Sequence, residues 1–411
     1  MALPQIVKTM QRRYLREARE HFRENRQMLF VSGPRQVGKT TLARQLSDTF
    51  ASSDYFNWDN HAHRSAILNG PEAVAEQLRL DRLHAEKPFC ALDELHKYRG
   101  WRDFLKGLFD VYENRVHILV TGSARLDVFK RAGDSLMGRY FPYALHPLSV
   151  AECVAPERGG SLISPPERIE DGQWRALWRF GGFPEPFLKA DDRFHTRWKN
   201  LRTEQLLRED LRDLTRIQEL GQVESLALNL SRRAGQLTSY SSLAREIRAS
   251  VDSVRRWTAA LESLYFCFSV RPWHRNVTRG LRKEPKFYLW DWSQVEDPGA
   301  RAENLVAGAL LKATHWWTQS GQGDFGLYFV RDKQKREVDF LVTRDGQPWF
   351  LTEVKTSGNS ALSGALALFQ SQTGAEYAFQ IAMDLDYIEA DCFEHRKPIV
   401  VPARTFLSQL I

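Results

Sequence analysis

Cysteine is scarce in this chain: Cys90, Cys153, Cys267 and Cys392 are its four cysteines in 411 residues. They lie far apart and form no C-x-x-C pair, which excludes a thiolate metal site and a vicinal redox centre, and they read as reduced thiols of a cytoplasmic protein. Long apolar runs are missing as well, so no bilayer-crossing helix and no membrane partner are expected. The opening stretch, MALPQIVKTMQRRYLREARE, turns charged at once and holds no apolar signal-peptide core. What is present is ordinary for a folded protein, with 43% hydrophobic and 27% charged residues. The length calls for roughly two to four domains. Lys and Arg exceed Asp and Glu, 58 against 51, for a formal charge of +7. That balance favours a polyanionic partner, DNA first among them, and does not by itself establish one.

The segment QMLFVSGPRQVGKTTLARQL has the parts a phosphate site needs, in order. Met28 to Val31 suits a buried parallel strand. Gly33, Pro34, Arg35, Gln36, Val37, Gly38, Lys39 and Thr40 spell G-x-x-x-x-G-K-[ST], and Thr41 follows. Leu42, Ala43 and Leu46 then recur at helical spacing, so the loop ends on a helix N-terminus, where free N–H groups and the helix dipole attract phosphate. The glycines permit close backbone approach, Lys39 reaches the terminal phosphates and Thr40 completes a magnesium shell. A second apolar run, Phe89 to Leu92, ends in Asp93 and Glu94. Asp93 is expected to hold magnesium through water and Glu94 to orient or deprotonate the attacking water. ATP and magnesium are therefore the expected cofactors, and hydrolysis the expected reaction. A third strand, HILVTGSAR, leaves two readings open. Thr121 and Ser123 either touch the γ-phosphate or lytic water, or cap the next helix. Arg139, just before another apolar run, is a candidate arginine finger acting on a neighbouring copy.

This order of motifs resembles a prokaryotic family of AAA-type ATPases that carry an uncharacterised C-terminal domain. The resemblance rests on GPRQVGKT, YFNWDN, ALDELHKYRGW, VTGSAR, SLMGRYFPYALHPLS, GGFPEPFL, the stretch from GQLTSYSS to VRRW, REVDFLV and LTEVKTS. It implies magnesium-dependent ATP binding and a ring-like homo-oligomer. His96 stands where the resemblance leads one to expect glutamine.

Residues 154–172 are rich in Pro, Gly, Ser and charge, as in an exposed loop, and the pattern from Trp174 to Leu230 is mainly helical. Between 235 and 292 the order is helix, turn, helix, then two strands, the pattern of a winged helix-turn-helix. Arg255 and Arg256 would face a DNA groove. The stretch between the strands holds six basic residues against one Glu, and Arg275, Arg279, Arg282 and Lys283 in it would hold phosphates. The alternative is a winged-helix spacer whose basic loop is merely solvated.

The last segment reads as a helix bearing Glu303, followed by three strands with Asp339 on the second and Glu353 and Lys355 on the third. Alternation along a strand puts Glu353 and Lys355 on one face, with Asp339 on a neighbouring strand. This resembles the PD-(D/E)-X-K nuclease superfamily. The resemblance implies magnesium on Asp339 and Glu353, a lysine that positions water, and Glu303 as a fourth member. The expected architecture is α/β: a P-loop parallel-sheet domain (1–150), a helical connector (151–230), a winged helix-turn-helix (231–292) and a mixed α/β nuclease-like domain (293–411). Two functions compete, a DNA-processing ATPase and a regulatory ATP switch whose C-terminal domains bind DNA or a protein partner without cutting.

Overall fold

The computed structural model describes residues 12–122, 136–156, 161–214, 217, 219–274 and 284–411. The chain divides into two compact units, Gln11–His146 and a second that runs from Pro147 to Ile411. Ser123 and the wing residues Arg275, Arg279, Arg282 and Lys283 lie outside the described residues.

The first unit is built on five strands: β1 (Met28–Ser32), β2 (Ser53–Asn57), β3 (Phe89–Asp93), β4 (His117–Gly122) and β5 (Tyr140–Ala144). All pair in parallel, in the order β2-β3-β4-β1-β5. A parallel sheet must be covered on both faces, which is why β1 and β3 are near-continuous apolar runs. One core of this unit gathers Phe30, Leu92 and Val120 from the strands with Leu105, Leu108 and Phe109 from the helix Trp101–Tyr112. Because β4 lies between β1 and β3, the C-terminal ends of these three strands stand side by side, with Ser32 opposite Gly122 and Asp93 opposite Thr121. In open α/β sheets that edge is where ligands bind.

The second unit begins with helices, among them Asp171–Phe180, Asp192–Glu204 and Leu220–Arg232. The helices Tyr240–Glu246 and Val251–Ser263 follow, and each starts on a serine. The Ser239 and Ser250 side chains accept from the backbone N–H of Ser242 and Ser253, satisfying donors that a helix start leaves open. Strands β6 (Cys267–Pro272) and β7 (Lys286–Leu289) form an antiparallel hairpin. Val223, Leu226, Leu243, Val254, Trp257, Leu261, Phe287 and Leu289 share one core, so the helices and the hairpin pack as a body.

The helix Pro298–Gln319 comes next, capped by the Asp297 side chain and opened by a proline at its first position. Beyond it lie β8 (Phe325–Arg331), β9 (Glu337–Arg344), β10 (Gln347–Lys355), β11 (Tyr377–Ala382) and β12 (Ile399–Pro402). These do not form a sheet of their own. The order is β12-β11-β10-β9-β8-β6-β7, seven strands in one mixed sheet. β6 joins it by a short parallel pairing with β8, Arg271 opposite Tyr328 and Pro272 opposite Phe329. The β6–β7 hairpin and the C-terminal strands are thus continuous, although the sequence pattern reads them as separate domains.

A buried ion pair lies within this second unit. The Lys312 side chain, 2% exposed, pairs with Glu152, whose side chain is 0% exposed. The Lys312 ammonium also donates to the Pro147 carbonyl at 3.1 Å and to Ser149 Oγ at 3.0 Å. Removing one partner of such a pair strands a charge in the interior, which costs about 3–5 kcal/mol, whereas replacing both with apolar groups is often neutral. Lys312→Met is therefore expected to lower the urea midpoint sharply, with Lys312→Met/Glu152→Leu recovering most of the loss. A double variant as unstable as the single one would contradict this.

Candidate functional site

The P-loop crosses from the end of β1 to the helix Lys39–Ser47. At Gly33 the chain passes so close to β5 that a Cβ there would sit 2.3 Å from the Leu145 carbonyl oxygen, so only glycine fits. Gly38 opens the helix with φ +101°, a left-handed conformation that a side chain disfavours. Between them Gln36 holds φ +63°, strain of the kind found where a loop is shaped for a ligand. Lys39 is 6% exposed, and its ammonium donates to the Gly33 and Pro34 carbonyls at 3.0 and 2.8 Å, so its charge lies across the mouth of the loop. Val37 is fully buried, and its carbonyl accepts a 2.9 Å bond from Arg12, whose guanidinium also donates to the His146 carbonyl. Arg12 braces the loop from 25 residues upstream, and sequence reasoning missed it.

Asp93 closes β3 as a carboxylate 1% exposed. Three hydroxyls converge on it: Thr40 Oγ1 at 2.7 Å, the Tyr55 phenol at 2.5 Å, and Thr121 Oγ1. The bond between Thr40 and Asp93 joins the P-loop to the acidic strand end across the β4 position. Thr121 thus takes a role outside both readings of the sequence, as a donor to Asp93. Tyr55, from β2, was unforeseen, and burial followed by its bond to Asp93 pushes the phenol's pKa up. Glu94 follows in the left-handed region at φ +57°, its N–H donating to the Thr121 carbonyl at 3.1 Å. Its carboxylate lies 3.5 Å from Lys97 and 3.8 Å from His96 Nε2. Burial pulls the His96 pKa down, with Lys97 and Lys39 adding to it and Glu94 opposing, and Nδ1 of that ring is buried without a hydrogen-bond partner.

The donor set fits a nucleotide with magnesium. A hydroxyl and a carboxylate, both hard oxygen donors, already meet at hydrogen-bond distance beside a glycine-lined loop. Magnesium in such sites takes one or two carboxylates and completes its shell with water and substrate phosphates. Arg139 stands at the other end of the sheet. It precedes β5, whose Tyr140 pairs with Met28 at the start of β1, and it forms a bidentate pair with Asp110 at 2.6 and 3.0 Å. Any action of Arg139 on phosphate would therefore be on a second copy.

In the second unit Arg255 and Arg256 are both exposed on the helix Val251–Ser263, and the Arg255 guanidinium lies 5.2 Å over the Tyr240 ring. Three residues of the nuclease-like pattern lie on β9 and β10, and the fourth, Glu303, lies on the helix Pro298–Gln319. Asp339 accepts from the Val354 N–H at 2.8 Å, Lys355 pairs with Glu353 at 2.7 Å, and burial followed by the Glu303 carboxylate raises the Asp339 pKa, with Lys286 opposing. Glu303 also accepts a 2.6 Å bond from Tyr288. A fifth residue, Lys286 at the start of β7, stands among these carboxylates. Its ammonium lies 2.6 Å from Glu337, 3.1 Å from Glu303 and 3.8 Å from Asp339. That ammonium already brings positive charge to Asp339, one of the two carboxylates on which the sequence pattern expects magnesium. Among the described residues no group of three or more His, Cys, Asp or Glu is arranged to hold a metal ion.

Comparison with known proteins agrees with the first unit. Residues 25–154 match the family described as AAA domain, and residues 171–295 and 298–390 match two domains of unknown function, DUF8612 and DUF4143. Uncharacterized protein Mb2031c of Mycobacterium bovis is 25% identical over 346 residues, covering 82% of this chain and 72% of its own length. Uncharacterized protein Rv2008c of Mycobacterium tuberculosis gives the same figures, 25% over 346 residues. Among solved structures, the Aeropyrum pernix ORC1 protein in complex with DNA overlaps at TM-score 0.32 and 16% identity, covering 74% of this chain and 95% of that one. AMPPCP-bound DnaA from Aquifex aeolicus overlaps at TM-score 0.30 and 12% identity, covering 60% and 86%. Overlap so slight supports no inference. No helix among the described residues is long and apolar enough to cross a membrane.

The crowding at Gly33 has a measurable consequence. A methyl group there must push the Leu145 carbonyl or the loop aside, a strain of about 1–3 kcal/mol. Gly33→Ala is expected to weaken binding of a fluorescent ATP analogue by about tenfold or more, with far-ultraviolet circular dichroism unchanged. Undiminished binding would contradict the close approach. Residues 25–154, which carry the P-loop and the acidic end of β3, are similar in sequence to the AAA domain, which supports an ATPase of that type.

Proposed function

We propose that the protein is a magnesium-dependent ATP hydrolase of the AAA type, working as a homo-oligomer, whose second unit engages DNA under control of the nucleotide. The observation that carries the ATPase reading is the Thr40–Asp93 hydrogen bond at 2.7 Å, which sets the P-loop hydroxyl beside the carboxylate that ends β3. Residues 33–41 would hold the phosphates, with Lys39 turning its ammonium from the loop carbonyls toward them. Thr40 and Asp93 would hold magnesium, which would supply positive charge against the charge that develops on the phosphates. Glu94, fixed by its backbone bond to Thr121, would take a proton from the attacking water. Arg139 is proposed as the finger contributed by a neighbouring copy.

Arg255 and Arg256 support the DNA reading. Both are exposed and adjacent on the second helix of a helix-turn-helix order, where a groove-reading helix presents its side chains. The basic stretch between β6 and β7 would add phosphate contacts through Arg275, Arg279, Arg282 and Lys283. The competing reading is a cutting enzyme with Glu303, Asp339, Glu353 and Lys355 as its centre. The Lys286 ammonium among those carboxylates favours the binding switch.

Lys39→Ala is expected to abolish nucleotide binding in equilibrium titration, and tight binding in that variant would remove the P-loop from the account. Glu94→Gln should keep ATP bound while turnover falls roughly 100-fold or more; unchanged turnover would deny Glu94 its role. Arg255→Ala and Arg256→Ala should each weaken duplex DNA binding by about 1–3 kcal/mol and relax its sequence preference, whereas Arg279→Ala should weaken it evenly across sequences. Each arginine removed from a phosphate should flatten the salt dependence by about one unit of slope. Affinity indifferent to salt would instead point to a protein partner. Magnesium-dependent loss of duplex that disappears in Lys355→Ala would replace the switch with the nuclease.

A further inference from the structure

The basic run between β6 and β7 reads as a solvated wing, yet its last member has left solvent altogether. Lys286 is 3% exposed and opens β7, with Phe287, Tyr288 and Leu289 buried behind it. An unpaired ammonium at that depth would lose its proton or unfold the strand. Here burial does pull its pKa down, but the carboxylates of Glu303, Asp339 and Glu337 outweigh burial and hold it above the ordinary lysine value. The three acids come from two elements, the helix Pro298–Gln319 and strand β9, and the lysine comes from a third. Tyr288, two residues on and on the same face, donates to the Glu303 oxygen that Lys286 also meets.

We propose that the Lys286 ammonium is the resident cation of this acidic cluster, a tethered charge standing where the nuclease-like pattern would put a divalent metal, and that it closes the cluster to metal. Two features carry this. The ammonium lies within 3.8 Å of three carboxylates, including two of the nuclease-like set, Glu303 and Asp339. The remaining acid, Glu353, gives one oxygen to Lys355, while its second, Oε2, is buried with no hydrogen-bond partner. With Lys286 in place, that oxygen stands alone as a ligand. Without it, the charges of Glu303 and Asp339 are uncompensated, and a divalent ion, which takes hard oxygen donors, is the cation that could answer them once these side chains turn toward it. The inference concerns the second unit only and holds whether or not the first unit hydrolyses ATP.

The test uses the full chain, without nucleotide, and Mn²⁺ as the probe, with bound ion read by electron paramagnetic resonance and stability by melting temperature. Wild type is expected to bind no Mn²⁺ that Asp339→Asn removes, and to melt at the same temperature in Mn²⁺ as in chelator. Lys286→Met is expected to melt lower in chelator, to recover with Mn²⁺, and to bind a single ion per chain that is lost when Asp339→Asn is added. A ligand that binds only the native state raises its stability in this way. Should Lys286→Met fail to fold in chelator, Lys286→Met/Glu337→Gln, which keeps the cluster's net charge, takes its place with the same expected gain. Three results would overturn the proposal. These are Asp339-dependent Mn²⁺ binding by wild type, a folded Lys286 variant that binds no more Mn²⁺ than wild type, and the failure of Mn²⁺ to yield a folded form of either variant.

Discussion

A charge taken out of water must meet its partners, and that constraint organises both units. At the end of β3 the buried Asp93 carboxylate is answered by three hydroxyls drawn from three different places, the P-loop, β2 and β4. Their convergence fixes how the strands end, and so fixes where the P-loop lies relative to the acidic pair. In the second unit the same demand is met by opposite charges. Lys312 with Glu152 joins the long helix to the start of the unit, and Lys286 joins the hairpin to β9 and to that helix. Isolated buried charges of this kind cost several kcal/mol each after relaxation. The apolar cores supply cohesion, but it is these polar meetings that specify which element sits beside which.

Strand order matters to the ATP site in the same way. With β4 inserted between β1 and β3, the loop after β1 and the carboxylate after β3 are separated by one strand spacing rather than adjacent. Thr121 fills that gap, donating to Asp93 from its side chain and accepting from Glu94 with its backbone carbonyl. One residue therefore positions both acids. It does so with a hydroxyl and a carbonyl, groups that do not titrate near neutrality.

The P-loop and the Asp93–Glu94 pair were legible in the sequence because their chemistry is local. A loop motif between strand and helix, and an acidic pair after an apolar run, each fit within about twenty residues. The same holds for the helices opened by Ser239, Ser250 and Asp297, and for the three strands that carry Asp339, Glu353 and Lys355. Arg12 and Tyr55 were not legible. Their partners lie 25 and 38 residues away, and a lone arginine or tyrosine carries no pattern that points to a carbonyl or a carboxylate at that distance. Lys286 was concealed for a different reason. Read among its basic neighbours it belongs to a solvated run; read forward, it is the first residue of the apolar stretch KFYL, and that was the signal available. The single sheet spanning β6 to β12 was equally hidden, since the pairing of β6 with β8 covers only two residue pairs and leaves no periodicity.

The seam closed by Lys286 bears on how this protein can vary over generations. The lysine lies in the segment that matches one domain family, residues 171–295, and its three acids lie in the segment that matches another, residues 298–390. Recombination in the short stretch between them, the usual place for exchanging modules, would leave a positive charge facing an unprepared surface or a knot of acids facing none. Neither half is an interchangeable cassette. A substitution at position 286 leaves the acids at 303, 337 and 339 unanswered, so one charge balance spans the two segments.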